Sequence, residues 1–355
     1  MPNPLPTDSN EVTRHLIEQL QRHPKRVVFT EGEDVRVIAA AARMVALEAV
    51  VPILLGDVVR IQTLAAQHGI PLNFVRIIDP KRSSDLLLFV KLSKNISRYR
   101  DSGQVDSLET ISRPHHFGAM MVQYGHADAI VGGNQAIPAT YFRALLRNIK
   151  PQPGINRIFG VTALMAPHFP LLGKDRVIFL ADTGLNPDPD VNLLSTIAIE
   201  TGKLAHHFLG RTPVVALLSH STKGSSGTAE ALKVAAATAL AKDRITQEFL
   251  DIRLDGEMQA DVAVDPKAAE MKLPDAVTRD IADVLVFPNL DAAHISMKLL
   301  QHLGGAQNYG QIILGLARPA AQVPRTASVE TIFGTAAAVA VEAIKYHELF
   351  PDSDF

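Results

Sequence analysis

Short runs of β-branched or leucine-rich residues alternate along this chain with longer alanine-rich amphipathic stretches, and this rhythm limits the fold more than any other feature. Residues 26–29 precede a helical pattern at 35–48, and 51–55 precede one at 58–68; a further strand pattern follows at 74–78. The spacing then predicts helix at 117–124, strand at 127–131, helix at 139–148, strands at 157–164 and 176–181, and helix at 191–208. Strand 214–218 leads into helix 229–242, strand 284–287 into helix 292–303, and strand 311–314 into a long closing helix at 328–347. A first helix at 11–22 follows a loose polar arm at 1–10. Strands separated by helices of this length need crossover connections, so the expected class is α/β with mainly parallel sheets wound on both faces. Ligands of such sheets collect at the carboxyl ends of the strands.

At 355 residues the chain exceeds the size at which one hydrophobic core keeps growing, so two domains are expected. Lys and Arg number 35 against 37 Asp and Glu, and the net charge of -2 supplies no basic surplus for nucleic acid; any anion site must be local. The absence of cysteine excludes a disulfide framework, a thiolate nucleophile and any Cys-ligated metal, and makes the cytoplasm the expected compartment. The first thirty residues contain no apolar core of signal-peptide type, and no run of about 18 apolar residues occurs, so neither export nor a membrane partner is expected. The opening methionine and polar arm favour a chain that works alone over a piece of a longer one.

The segment from Leu218 to Gly227 joins a strand pattern to a helical one through five hydroxyls, Lys223 and two glycines. Unpaired amides and a positive dipole end at such a place suit a phosphate or pyrophosphate, held by Ser221, Thr222, Lys223, Gly224 and Ser225. Ordinary capping and turn chemistry uses the same residues. Neither a Walker loop nor a G-x-G-x-x-G turn is present. Other expected strand ends also run into polar clusters, at Thr30–Asp34, Gly132–Asn134 and Asp182–Pro189, and loops of this kind in succession point to a cleft.

Six segments together resemble phosphate acetyltransferases and phosphate butyryltransferases, a family that includes the C-terminal domain of large malic enzymes. They are FTEGEDVRV at 29–37, ADAIVGGN at 127–134 followed by Arg143, ADTGLNPDP at 181–189, LSHSTKGS at 218–225, DGEMQAD at 255–261 and FPNL at 287–290. The resemblance covers nearly the whole chain. It implies two α/β/α domains of phosphotransacetylase-like, isocitrate/isopropylmalate dehydrogenase-like type with an interdomain cleft: residues 1–153 plus 312–355 as one, 154–311 as the other. It further implies a homodimer and the transfer of an acyl group between the coenzyme A sulfur and inorganic phosphate. Coenzyme A or acetyl-CoA is then a substrate or ligand, no cofactor is permanently bound, and no metal is required. Asn134, Arg143 and Arg325 match family positions that face the substrates, with Arg143 and Arg325 meeting coenzyme A; guanidinium groups suit phosphate oxygens bidentately. Read without the family, Arg143 is a solvated or ion-paired helix residue and Arg325 a surface charge of the proline-rich loop that begins at Pro319.

The chain departs from the family before its last helix. Pro324 stands where acetyltransferases carry a serine, and Thr331 stands where the family places an aspartate base. Glu330 is one residue away, and His220 is a second candidate base, since a strand-end histidine titrates near neutrality; a hydrogen-bonded strut is its alternative. Asp255, Glu257 and Asp261 have a possible magnesium spacing but match a family with no such metal. The adjacent pairs His115/His116 and His206/His207 cannot chelate one ion from a helix, and are expected at a surface or interface. Two functions of different class follow: a phosphate acyltransferase with an altered base, or a catalytically impaired acetyl-CoA sensor like the malic-enzyme domain. The alanine-rich faces at 195–209 and 336–344 suit dimer contacts or packing within a domain equally.

Overall fold

In the computed structural model, residues 11–94, 96, 108–169, 173–273 and 280–349 are described; the arm at 1–10 lies outside them. The chain forms two compact units, Met1–Asn156 with Gly315–Phe355, and Arg157–Leu314. Elements follow in the order α1 (Glu11–Arg22), β1 (Lys25–Phe29), α2 (Val35–Ala46), β2 (Val50–Leu55), α3 (Val58–Gln67), β3 (Arg76–Ile78), α4 (Leu86–Ser93), α5 (Leu108–Ile111), α6 (Pro114–Gln123), β4 (Ala129–Gly132) and α7 (Pro138–Asn148). The second unit holds β5 (Phe159–Phe169), β6 (Gly173–Ala181), α8 (Val191–Leu209), β7 (Val214–Leu218), α9 (Ala229–Gln247), β8 (Arg253–Met258), α10 (Ala260–Val264), α11 (Pro266–Lys272), β9 (Val284–Val286), α12 (Leu290–His302) and β10 (Gln307–Leu314). The chain then returns to the first unit with β11 (Ala320–Gln322) and α13 (Val329–Leu349).

The first unit has a fully parallel sheet, ordered β3-β2-β1-β4-β11. Helices α1, α2 and α13 cover one face while α6 and α7 cover the other, which makes an α/β/α sandwich. The strands carry continuous apolar runs because both faces are buried: Val27, Val28 and Phe29 of β1, and Ala129, Ile130 and Val131 of β4, are all inaccessible. Helix α13 is apolar on nearly every side, and Ala336, Ala337, Val339, Ala340 and Val341 are buried within the unit. Its alanine-rich face is therefore used for packing inside the domain.

The second unit orders its strands β10-β5-β6-β9-β7-β8. The expected mainly parallel winding holds here with one strand reversed, since β5 runs antiparallel to both neighbours, β10 and β6. Only residues 170–172 lie between β5 and β6, too few for a crossover, so the two consecutive strands pair as a hairpin. Helices α8 and α9 pack on one face and α10 and α12 on the other. Between the latter pair and the sheet lies a core of Leu164, Ile178, Leu180, Leu218, Met258, Phe287 and Met297. The face of α8 at Ser195, Ile197, Ala198, Ile199, Gly202 and Ala205 is likewise buried inside the unit.

Five helices and strands had no clear signal in the sequence: α4, α5, α10, α11 and the edge strand β8. Strand β8 reads RLDGEM, whose charged residues hide the alternation expected of a strand. The stretch 319–324, expected as loop, contains the three-residue β11, paired with β4. No helix among the described residues is long and apolar enough to cross a membrane.

Candidate active site

In the first unit, three loops leave the carboxyl ends of neighbouring strands β1, β4 and β11, and side chains of the first and of the start of α2 bind the other two. Glu31, after β1, accepts from four consecutive amides after β4: Gly133 N at 2.7 Å and Asn134 N at 2.9 Å on one oxygen, Gln135 N at 3.1 Å and Ala136 N at 2.9 Å on the other. The turn needs glycine at 133, where φ is +97° and a Cβ would press on Gln322. Asn134 is buried, and its Nδ2 donates to Asp34 Oδ2 at 2.8 Å. Asp34 also caps α2 through Arg36 N and forms a forked pair with the Arg36 guanidinium. Burial alone would push the Asp34 carboxyl up, but the bonds from Arg36 outweigh it and hold the group below the usual carboxylate range. Arg36 continues to the loop after β11, donating to the carbonyls of Arg325 at 3.0 Å and Ala327 at 2.7 Å.

Arg143 on α7 and Arg325 after β11 are both exposed, and neither guanidinium has a hydrogen-bond or ion-pair partner among the described residues. Glu330 differs: its carboxylate is ion-paired with Arg43 of α2, whose guanidinium also lies 4.1 Å over the Phe333 ring. Thr331 faces the α13 cap, with Oγ1 3.2 Å from Ser328 Oγ.

The adjacent histidines at 115 and 116 are not on the surface. His115 Nδ1 lies 2.8 Å from Thr30 Oγ1, and the ring is edge-on to the buried Tyr141. His116 Nδ1 lies 2.9 Å from Asn148 Nδ2. Burial lowers both, partly offset by Glu31 at His115; His116, further lowered by the positive charge of Arg147, is pushed to about 4. The sequence reading missed this because helix α6 is apolar almost all round and buries residues 116–123 in one run. His206 and His207 are half-buried.

In the second unit, Asp182 organises the loop after β6, accepting from the amides of Gly160, Gly184, Leu185 and Asn186 and from Asn186 Nδ2. The hydroxyl-rich loop after β7 is closed in the same manner by a carboxylate from β8. Glu257 Oε1 accepts from Gly224 N at 2.6 Å and from Ser221 Oγ at 3.0 Å. Ser225 Oγ takes Thr222 N, Ser221 Oγ takes Ser226 N, and Thr222 Oγ1 takes Gln259 N. Lys223 turns away from the helix start and donates to Asp255 Oδ1 at 2.6 Å and Gly256 O at 2.7 Å. The amides expected to be open at this turn are thus filled from within the chain, and Thr228, not an earlier residue, caps α9.

Asp255 is shared by Lys223 and Lys242, which together overcome the effect of burial and hold its carboxyl low; Asp261 pairs with Lys272. Among the described residues no group of three or more His, Asp or Glu is placed to hold a metal ion. A cavity of about 750 Å³ opens at the ends of β6, β7 and β9, lined by Leu218, Ser219, His220, Lys233, Phe287 and Asn289 among others. His220 is exposed at its edge, with Nε2 3.2 Å from Ser226 Oγ and 3.3 Å from Thr228 Oγ1. Lys233 donates to Asp188 at 2.5 Å and to Pro288 O at 3.1 Å, tying the loop after β6 to the one after β9.

The family description "Phosphate acetyl/butaryl transferase" matches residues 11–340. The chain belongs to the phosphate acetyl/butyryl transferase family. A phosphate acetyltransferase of Staphylococcus aureus is 34% identical over 330 residues, 93% of this chain and 98% of its own length. Two solved structures agree: the EutD phosphotransacetylase from Staphylococcus aureus, with TM-score 0.82 and 32% identity, and a phosphotransacetylase from Streptococcus pyogenes, with TM-score 0.83 and 31% identity. Each covers 94% of this chain and 98% of its own. A branched-chain phosphotransacylase from Enterococcus faecalis, at 18% identity and TM-score 0.62, shares the fold. Acyl transfer between coenzyme A and phosphate is the function of the family, and coenzyme A enters it as a substrate.

Against that family background, the first unit brings Asn134 and the Arg325 main chain together through Asp34 and Arg36. In the sequence both bridging residues stand within the motif at 29–37 with no sign of what they bind. Their signal was the capping pattern Asp34-x-Arg36 at a strand-to-helix junction. Glu31 and Glu257, the carboxylates that close the two loops, were also missed as organisers, because their amide partners lie about 100 and 33 residues away.

Proposed function

We propose that this chain is a phosphate acyltransferase of the cytoplasm that moves an acyl group between the coenzyme A sulfur and inorganic phosphate. In the forward direction the thiolate sulfur attacks the acyl carbonyl carbon, the bond from that carbon to the bridging oxygen breaks, and phosphate leaves with that oxygen and the electron pair. This chemistry needs cations for the phosphate and the tetrahedral oxyanion, and an acceptor for the thiol proton. The observation that carries the reading is the pair of exposed guanidiniums, Arg143 and Arg325, which have no partner among the described residues, whereas the neighbouring charges of Asp34, Arg36 and Glu330 are paired. Arg325 takes the transferring phosphate and the oxyanion, and Arg143 takes the phosphates of coenzyme A. Asn134, already bound to Asp34, holds the loop shape beside them.

Of the two candidate bases, Glu330 is committed to Arg43, so His220 is assigned the thiol proton. Ser221, Thr222, Gly224 and Ser225 are assigned the wall of the substrate site and not its charge, because Glu257 occupies the donors of Ser221 and Gly224 while the amides of Thr222 and Ser225 donate within the loop itself. Lys223, held by Asp255, has the same supporting place.

The test mixes purified protein with coenzyme A and acetyl, propionyl or butyryl phosphate and follows thioester absorbance. Turnover is expected, and Arg325→Ala should lower kcat by about 10²–10³-fold. Pro324 and Thr331 keep the sensor reading in view: saturable acetyl-CoA binding with no turnover on any of the three acyl phosphates would replace the enzyme by it.

The chain is further proposed to act as a homodimer through α12. Ile295 and Leu299 on this helix and Leu303 just past its end form an exposed apolar stripe, with Asp291 at the helix start and His302 at its end. Two copies crossing antiparallel would set the stripes together and the acidic start of one helix against the basic end of the other, as an isologous contact requires.

A further inference from the structure

We propose that Arg36 is a positioning residue for acyl transfer, acting on Arg325 through the main chain of the loop that carries it. The proposal rests on the reading of Arg325 above. A guanidinium has five N–H donors, and all five of Arg36 are committed. Nε donates to Asp34 Oδ1 at 3.1 Å. One terminal nitrogen donates to Arg325 O at 3.0 Å and Ala327 O at 2.7 Å. The other donates to Asp34 Oδ2 at 2.6 Å and Asn134 O at 3.4 Å.

With no donor left for a ligand, Arg36 does not bind substrate. What it binds is the backbone of Arg325, of the residue two beyond it, and of the Asn134 turn. Asp34 fixes the plane of the fork, and Asn134 Nδ2 and Gln135 Nε2 fix Asp34 in turn. Pro324, just before Arg325, has no N–H of its own to anchor the loop, so the carbonyls at 325 and 327 carry that duty. A planar fork can reach two carbonyls and a carboxylate at once; an ammonium on a flexible stem cannot.

The same unit contains a control. Arg26 and Asp128 make a comparable forked pair, at 3.1 and 2.6 Å, at the opposite end of β1 and β4. Loss of that pair perturbs the unit without touching the loop of Arg325.

The experiment compares Arg36→Lys, Arg36→Gln and Arg26→Ala, each also in an Arg325→Ala background, by kcat, by KM for coenzyme A and by far-ultraviolet circular dichroism. Arg36→Lys is expected to lower kcat about 10²-fold with KM for coenzyme A held, since displacement of a reacting group by about 1 Å has that effect. In the Arg325→Ala background it should cause no further loss, because the two act as one unit. Arg26→Ala should keep the parent kcat. The proposal is overturned if folded Arg36→Lys and Arg36→Gln both retain the parent kcat, if their losses multiply with that of Arg325→Ala, or if Arg26→Ala loses as much. Full activity of Arg325→Ala overturns the site reading itself. Loss there with none at Arg36 overturns only the present inference.

Discussion

Acidifying the protein from about pH 7.5 to about pH 5 should cost the first unit about 2 kcal/mol of stability through His116 alone. Burial, with Arg147, His115 and Arg113 adding positive charge around it, lowers His116 from 6.5 to about 4. Between those values an unfolded chain binds the proton and the folded chain refuses it, so stability is intact above the unfolded value and falls as the pH drops. At pH 5 the gap is about one and a half units, at about 1.4 kcal/mol each, and the penalty approaches about 3 kcal/mol once the pH passes below the folded value. The local geometry enforces the neutral ring. Asn148 Nδ2 donates both to His116 Nδ1 and to Ala144 O, so a proton on Nδ1 would set donor against donor, and turning the amide over would set its oxygen against the Ala144 carbonyl. The carboxyls of Asp34 and Asp283, held below 3.8, stay ionised throughout this range and contribute nothing to the change. Nuclear magnetic resonance of the imidazoles reads the His116 pKa directly. Hydrogen exchange of peptides from β1 and β4, corrected for intrinsic rates, reads the stability of the first unit in the native protein and in His116→Gln, which keeps an acceptor for Asn148 but does not titrate. A His116 that titrates at about 6 or above, or a variant that loses as much stability as its parent, refutes the reasoning.

Two further outcomes are expected. Glu257→Leu leaves Gly224 N and Ser221 Oγ without their acceptor and should lower stability by about 2–4 kcal/mol, read as a shift of the denaturant midpoint; an unchanged midpoint would mean the loop does not depend on that carboxylate. Leu299→Asp puts a charge in the middle of the α12 stripe and should convert a dimer to a monomer in sedimentation at micromolar concentration, and a variant that sediments as the parent does would remove α12 from the contact.

The α/β class was legible because strands buried on both faces are apolar throughout, as in β1 and β4, and because the helices between them keep a 3.6-residue period. Strand direction was less so: nothing in 157–181 marks β5 as reversed except the absence of a helix between two apolar runs. Strand β8 and the three residues of β11 were hidden by composition, the one too charged and the other too short. At the candidate site, residue types were readable but partnerships were not. Lys223 and Glu330 have the chemistry of site residues, yet each is matched to an opposite charge from a distant stretch, Asp255 in one case and Arg43 in the other. Such pairings depend on which helix faces touch in three dimensions, and local spacing carries no record of them.

The two loops closed by Glu31 and Glu257 arrive at their shapes without help from any guest. Glu31 satisfies four main-chain amides, and Glu257 one amide and one hydroxyl, that would otherwise be open to an anion, so ordering of these turns falls within folding and adds nothing to the entropy lost on association. On the proposed roles of Arg143 and Arg325, recognition is left to long, hydrated side chains that reach outward, and capture speed should decline as added salt shortens the range of their attraction.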